Sequence, residues 1–260
     1  MSIRVAVAGS KGRMGQEAVK MVMSDPELEL VAEVGSPRSR GEGASVHGVP
    51  FLTSLEEAFL NYRPDVLVDL TTPQAVKNNM ELAIQHGVRP VVGTTGLSAD
   101  EIQELDDLSR EKGVGAIIAP NFAIGAILMM KFAREAARYM PHVEIIELHH
   151  DKKLDAPSGT AVKTAELIQQ TRQEFKQGHP DEEEIIDGAR GGYYNGFRIH
   201  SVRLPGLVAH QEVLFGHVGQ TLSIRHDSMN RESFMPGINL AIKKVIDLNT
   251  LVYGLENVMD

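Results

Sequence analysis

Ile3-Arg4-Val5-Ala6-Val7-Ala8 runs directly into Gly9-Ser10-Lys11-Gly12-Arg13-Met14-Gly15, and helical character follows from Gln16 to Met23. A short apolar run that stops at glycine marks a buried strand. Glycines after it permit a tight turn and let a pyrophosphate approach backbone N–H groups, while the start of the next helix faces the anion. The spacing is G-x-x-G-x-x-G, because Ser10 stands where G-x-G-x-x-G has its first glycine. Lys11 and Arg13 can add positive charge beside phosphates, and each is also readable as ordinary solvated surface. The bland alternative for the whole segment is a structural strand-to-helix turn.

The same rhythm continues downstream. Leu28, Leu30, Ala32 and Val34 alternate as a second strand, and Asp25-Pro26 separates it from the first helix. Residues 36–48, rich in Gly, Ser and Arg, read as a mobile loop, and Ser54 opens another helix. Val66 to Leu70 is a strand closed by Thr71-Thr72-Pro73, and a helix from Gln74 to His86 stops at Gly87. Val88 to Val92 leads into Gly93-Thr94-Thr95-Gly96, then Ser98 with Glu101 forms a capping box. Gly113 ends that helix, and Gly115 to Ile118 precedes Ala119-Pro120-Asn121-Phe122. Strand and helix in alternation imply a parallel sheet covered on both faces, an α/β doubly wound domain of Rossmann type. Its ligands belong at the edge where the loops after the strands gather.

From Ile124 the rhythm changes. A helix runs to Tyr139, a strand covers Val143 to Leu148, and another helix begins near Thr160. Gln173 to Gly192 is a polar, exposed excursion. Phe197 to Leu204, Gln211 to Phe215 and Thr221 to Arg225 are strands with no helix between them, which implies a smaller α+β domain with a mixed or antiparallel sheet. The helix from Phe234 to Asp247 returns to the first domain. The expected division is residues 1–122 with 232–260, and 123–231.

Bulk properties exclude several classes. Among 260 residues, 42% are hydrophobic, enough for a substantial core, and the net charge is −9. That balance argues against a nucleic-acid binder, which needs a broad basic face. The absence of cysteine excludes disulfides, thiolate metal sites and cysteine nucleophiles, and fits a reducing compartment. No signal-type segment and no apolar run of membrane-spanning length is evident. A cytoplasmic protein without nucleic-acid or membrane partners is expected.

A second cluster lies in Glu147-Leu148-His149-His150-Asp151-Lys152-Lys153-Leu154-Asp155-Ala156-Pro157-Ser158-Gly159-Thr160. Histidine titrates near neutrality and can protonate a carbanion-like atom. If Leu148 points inward, neighbouring residues face opposite ways and the two histidines are not both core residues. Lys152 and Lys153 can each donate a proton or clamp a carboxylate, and spacing does not choose between them. Ser158-Gly159-Thr160 precedes a helix, so its N–H groups can hold a carboxylate or act as a plain N-cap. Adjacent histidines also raise zinc, but no helix carries His-x-x-x-His and a catalytic zinc ordinarily takes three protein ligands, so no metal is expected.

Cofactor choice turns on the end of the second strand. Glu33 is the nearest candidate for a ribose-binding acid, but Arg38 and Arg40 follow and can pair with a 2′-phosphate. NADPH is therefore accepted or preferred on this reading.

Taken together, Gly9 to Gly15, Gly93 to Gly96, Ala119 to Phe122 and Glu147 to Thr160 resemble the 4-hydroxy-tetrahydrodipicolinate (dihydrodipicolinate) reductase family of lysine and diaminopimelate biosynthesis. Val208 to Val213 and Ile224 to Ser228 are similar to that family as well. The resemblance implies an oxidoreductase that uses NADPH and/or NADH to reduce a cyclic dicarboxylate with loss of water. It implies His149 as proton donor and acceptor, Lys153 as second proton donor, and His150, Gly159 and Thr160 as substrate-binding residues. It assigns Gly9, Ser10, Lys11, Gly12, Arg13, Met14, Gly93, Thr94, Thr95, Ala119, Pro120, Asn121 and Phe122 to the cofactor. It also implies a homotetramer assembled through the second domain. One departure is Gly35, which stands where many members carry an acid, so a strong NADH preference is not expected. The competing possibilities are another two-domain Rossmann dehydrogenase of amino-acid biosynthesis, and a nucleotide-sensing protein without chemistry.

Overall fold

The computed structural model describes residues 2–36 and 47–259. The chain divides into two compact units, Met1–Ala123 with Arg231–Asp260, and Ile124–Asn230. In chain order, the first unit begins with strand β1 (Ile3–Ala8), helix α1 (Arg13–Ser24), β2 (Leu28–Val34) and β3 (Phe51–Leu52). It continues through α2 (Leu55–Tyr62), β4 (Val66–Asp69), α3 (Pro73–Gln85), β5 (Arg89–Val92), α4 (Ala99–Lys112) and β6 (Ala116–Ile118). The second unit follows with α5 (Ile124–Ala136), β7 (His142–His149), α6 (Gly159–Gln169), β8 (Gly192–Tyr194), β9 (Phe197–Arg203), β10 (Ala209–His217) and β11 (Gln220–Ser228). The chain then returns to the first unit as α7 (Met235–Val245) and β12 (Leu251–Tyr253).

The first unit holds a seven-stranded sheet in the order β12-β6-β5-β4-β1-β2-β3, parallel throughout. Ala6, Ala8, Ala32 and Leu67 pack with Ala58 and Phe59 of α2 and Ala83 of α3. Val5, Val7 and Val68 point the other way and are equally buried, with α1 and α7 against β1, β2, β4 and β5. Both faces are covered, so β2 is buried at every position except Glu29 instead of alternating. The local signals act as expected: Ser98 and Glu101 complete the capping box of α4, and Gly87 and Gly113 take φ of +75° and +64° at helix ends.

The second unit carries a five-stranded sheet in the order β11-β10-β7-β9-β8, antiparallel except for the parallel pair β7 and β9. Helices α5 and α6 pack on each other and on this sheet. Residues 173–192 run over the surface, as expected, yet a half-buried Gln177 and a buried Arg172 pin them. Gln177 brackets β7 by accepting from Val143 N–H (3.0 Å) and donating to Val143 C=O (2.8 Å). Arg172, just before the segment, donates to the carbonyls of Pro141 (2.6 Å) and Phe175 (3.0 Å).

Three short strands escape the sequence patterns. β3, β8 and β12 are two or three residues long and sit at sheet edges, too short for alternation to register. Helix α1 starts at Arg13, inside the glycine turn, because Gly12 serves as its N-cap. Leu148 is not the inward residue of β7. The buried stripe is Val143, Ile145 and Glu147, which sets His149 on the same face as Glu147.

Candidate active site

The carboxyl ends of the parallel strands of the first unit form two adjoining cavities. One, of about 650 Å³, is lined by Gly9, Lys11 and Gly12 after β1, Gly35 and Ser36 after β2, and Thr71 after β4. The other, of about 360 Å³, is lined by Met14, Gly93, Thr94, Thr95, Ala119, Pro120, Asn121 and Phe122. Leu70 and Thr71 line both. They leave β4 beside Gly9, where the strand order reverses on either side of β1 and β4, the ordinary ligand position in an open α/β sheet.

The turn after β1 fits a dinucleotide. Gly9 has φ +77°, and a Cβ there would sit 2.5 Å from the Leu70 carbonyl oxygen. A Cβ on Gly15 would collide with the Gly9 backbone, so the glycines are fixed by close approach. Gly12 caps α1 without a side-chain bond and no acid stands in the first turn, which leaves the positive helix end uncompensated. Ser10 is buried, and its hydroxyl oxygen has no hydrogen-bond partner. Lys11 rests its ammonium 4.3 Å from the centroid of Phe51.

Beneath the two cavities lies Asp69, wholly buried. It accepts from Thr71 N–H (2.9 Å), Thr71 Oγ1 (2.6 Å), Asn79 Nδ2 (2.7 Å) and Thr94 Oγ1 (3.3 Å), and so ties the loops after β4 and β5 together. Thr71, Asn79 and Phe234 are cavity residues that sequence reasoning missed. The Thr-Thr-Pro after β4 was the available signal, read only as a strand end.

Glu33 departs from its expected place. It is buried, lines neither cavity, and its carboxylate meets His47 Nδ1 at 3.0 Å. Gly35 and Ser36 line the cavity instead, and a Cβ on Gly35 would strike the Phe51 ring. Arg13 is exposed and lines neither cavity. Arg38 and Arg40 lie outside the described residues.

The second unit gathers the other residues where β7 runs into α6. His149 ends β7, Lys153 lies in the connecting loop, and Gly159 and Thr160 begin α6. His149 Nδ1 lies 2.5 Å from Glu147 Oε2. Arg203, opposite His149 on β9, grips both Glu147 oxygens at 2.7 and 2.9 Å. Burial alone would raise the pKa of Glu147, but hydrogen bonds from His149 and Arg203 outweigh it and hold the carboxyl's pKa at about 2. Lys153 Nζ pairs with Asp155 at 2.7 Å, which holds that carboxyl below its ordinary value, whereas Lys152 is exposed. His150 is exposed, and its carbonyl accepts from Lys153 N–H.

The start of α6 can take an anion. Ser158 accepts from Ala161 N–H at 3.2 Å, no acid stands in the first turn, and nothing lies within 4 Å of a Cβ built on Gly159. A carboxylate can therefore reach its backbone N–H groups. No group of three potential metal ligands occurs among the described residues.

A parallel-sheet unit with a phosphate-fitting glycine turn, in one chain with a unit that carries a histidine and a lysine on the way into a helix whose start is open to an anion, fits a nicotinamide-dependent oxidoreductase. Models of the dihydrodipicolinate reductase amino- and carboxyl-terminal regions match residues 3–122 and 125–259. The chain belongs to that family. It is 61% identical to the 4-hydroxy-tetrahydrodipicolinate reductase of Halalkalibacterium halodurans, over 99% of this chain and 100% of that one. It is 56% identical to the Bacillus subtilis enzyme of the same name, over 100% and 98%. The dipicolinate-bound dihydrodipicolinate reductase of Paenisporosarcina sp. TG-14 superposes with a TM-score of 0.93 at 51% identity, covering 100% of both chains. A gentamicin-pathway protein, GenD2, solved with NAD, shares the fold alone at 16% identity, with a TM-score of 0.66 and coverage of 99% of this chain and 90% of that one.

Proposed function

We propose that the chain reduces 4-hydroxy-tetrahydrodipicolinate to tetrahydrodipicolinate, with loss of the 4-hydroxyl as water, in lysine and diaminopimelate biosynthesis. The observation that carries this is the buried Glu147–His149 contact at the mouth of α6, in a chain of this family. Gly9, Lys11 and Gly12 would hold the pyrophosphate, and Met14, Gly93 to Thr95 and Ala119 to Phe122 the nicotinamide end. When bound, the reduced nicotinamide supplies the hydride that reaches C4 of the ring. Gly159 and Thr160 take a carboxylate on their N–H groups, with His150 and Lys153 completing the grip. His149 protonates the enamine-type carbon that hydride addition leaves, and Lys153 serves as second proton donor.

Three finer features belong to the same reading. NADPH is accepted, because Gly35 brings no acid to repel a 2′-phosphate and Lys11 lies in the same cavity. The protein works in the cytoplasm, consistent with a chain without cysteine and without any helix, among the described residues, long and apolar enough to cross a membrane. It assembles as a homotetramer through the second unit, whose edge strand β11 and its turn expose Leu222 and Val218.

The test is His149→Gln and Lys153→Ala, each followed by loss of nicotinamide absorbance with enzymatically generated substrate. Each is expected to lower the rate by about 10²–10⁴, the usual worth of one acid–base group. Rates within a few-fold of the parent for both variants would contradict the assignment.

A further inference from the structure

Glu147 is the one acid on the buried face of β7, in line with Val143 and Ile145. Its carboxylate also draws a hydrogen bond from the Ser201 side chain, beside four further contacts. Oε1 accepts from Arg203 Nη2 (2.7 Å) and from the Ser158 backbone N–H (3.2 Å). Oε2 accepts from Arg203 Nη1 (2.9 Å) and faces His149 Nδ1 (2.5 Å). Arg203 also donates to the Asp155 carbonyl at 2.8 Å, and the Asp155 carboxylate holds Lys153. The proton donor, the lysine and the first residue before α6 are thus tied to one buried ion pair, with α6 held a second time where Gln211 Nε2 donates to Thr164 (2.7 Å).

We propose that Glu147, itself clamped by Arg203, is the positioning residue of the site: it fixes the tautomer and orientation of His149 and, through Ser158 N–H, the start of the anion-binding helix. An ionised carboxylate only accepts, so the neutral ring must carry its proton on Nδ1. Nε2 is then the atom that exchanges protons with the substrate. The role rests on the proposed reduction, but its structural half is testable without turnover.

Glu147→Gln separates the two. Every partner of this carboxylate donates to it; the guanidinium and the backbone N–H can only donate, whereas the histidine can reverse its role by shifting a proton between nitrogens and the Ser201 hydroxyl by rotating. The amide oxygen therefore stays with Ser158 N–H and Arg203 Nη2, and the amide NH2 turns to His149 Nδ1, setting Arg203 Nη1 alone against another donor where the opposite orientation would set two. The neutral ring then protonates on Nε2, and the imidazolium is opposed by an NH2 where a carboxylate stood.

The experiment is 15N NMR of the histidine rings in the whole protein, with the His149 signals assigned by their loss in His149→Gln, paired with steady-state kinetics. The parent is expected to show the Nδ1–H tautomer and Glu147→Gln the Nε2–H tautomer. With that switch, kcat falls by about 10²–10⁴ while KM for the dicarboxylate changes only a few-fold. A parent enzyme with the Nε2–H tautomer overturns the proposal, even if the variant fails to fold. So does parent-like kcat in Glu147→Gln when His149→Gln is impaired. Parent-like kcat in His149→Gln overturns the underlying site assignment instead.

Discussion

At the scale of single residues, Glu147 dominates the second unit. Its carboxyl is held at about 2, against an ordinary 4.5, because hydrogen bonds from His149 and Arg203 overcome the burial that would raise it. A depressed acid stabilises the fold fully above the ordinary value and ceases to as pH falls through the folded one. The urea midpoint is therefore expected to hold near neutrality and fall as pH drops from 4.5 toward 2. Asp25, held at about 2 by Asn239 and Lys243, contributes a parallel loss, so Glu147→Gln should flatten the fall without abolishing it. An unchanged pH slope in that variant would contradict the account. Part of this was readable beforehand. His149, Lys153, Gly159 and Thr160 are marked by residue type and family resemblance, and an acid interrupting an alternating apolar stripe was a signal for Glu147. Arg203 had no such signal, because only the parallel pairing of β7 with β9 brings it opposite His149.

At the scale of elements, α6 shows how a cap serves a site. Ser158 caps the helix through its side chain and is anchored through its N–H to Glu147. Ser158→Ala removes the cap while leaving the backbone anchor, so it should cost about 1 kcal/mol in denaturant unfolding. It should raise KM for the dicarboxylate more than it lowers kcat, because His149, the proposed proton donor, keeps its Glu147 partner. A fall in kcat alone would place Ser158 in the proton-transfer machinery. The longer elements of both units were legible because strand and helix periods differ and because Ser98, Gly87 and Gly113 act locally. The edge strands β3, β8 and β12 were not, since their identity lies in pairing partners far along the chain. Glu33 shows a related limit: counting residues from the glycine turn finds an acid, but not that it is buried against His47 and lines neither cavity.

At the scale of the whole molecule, the chain has two compact units, and the proposed function gives the dinucleotide to the first and the dicarboxylate with its proton donor to the second. Nucleotide selectivity is open to a direct titration of the free protein. With Lys11 in the cavity and no acid at Gly35, NADPH is expected to bind at least as tightly as NADH, and NADH binding tighter by tenfold or more, about 1.4 kcal/mol, would refute that. Everything at this scale rests on the reaction itself. Its most direct measurement is nicotinamide oxidation by the purified parent protein with enzymatically generated 4-hydroxy-tetrahydrodipicolinate, set against homoserine as a simple hydroxy-acid control. One equivalent of NAD(P)H oxidised per ring reduced, with no turnover of homoserine, is expected; NADPH binding without turnover of the cyclic substrate, or turnover of homoserine alone, would refute the assigned reaction.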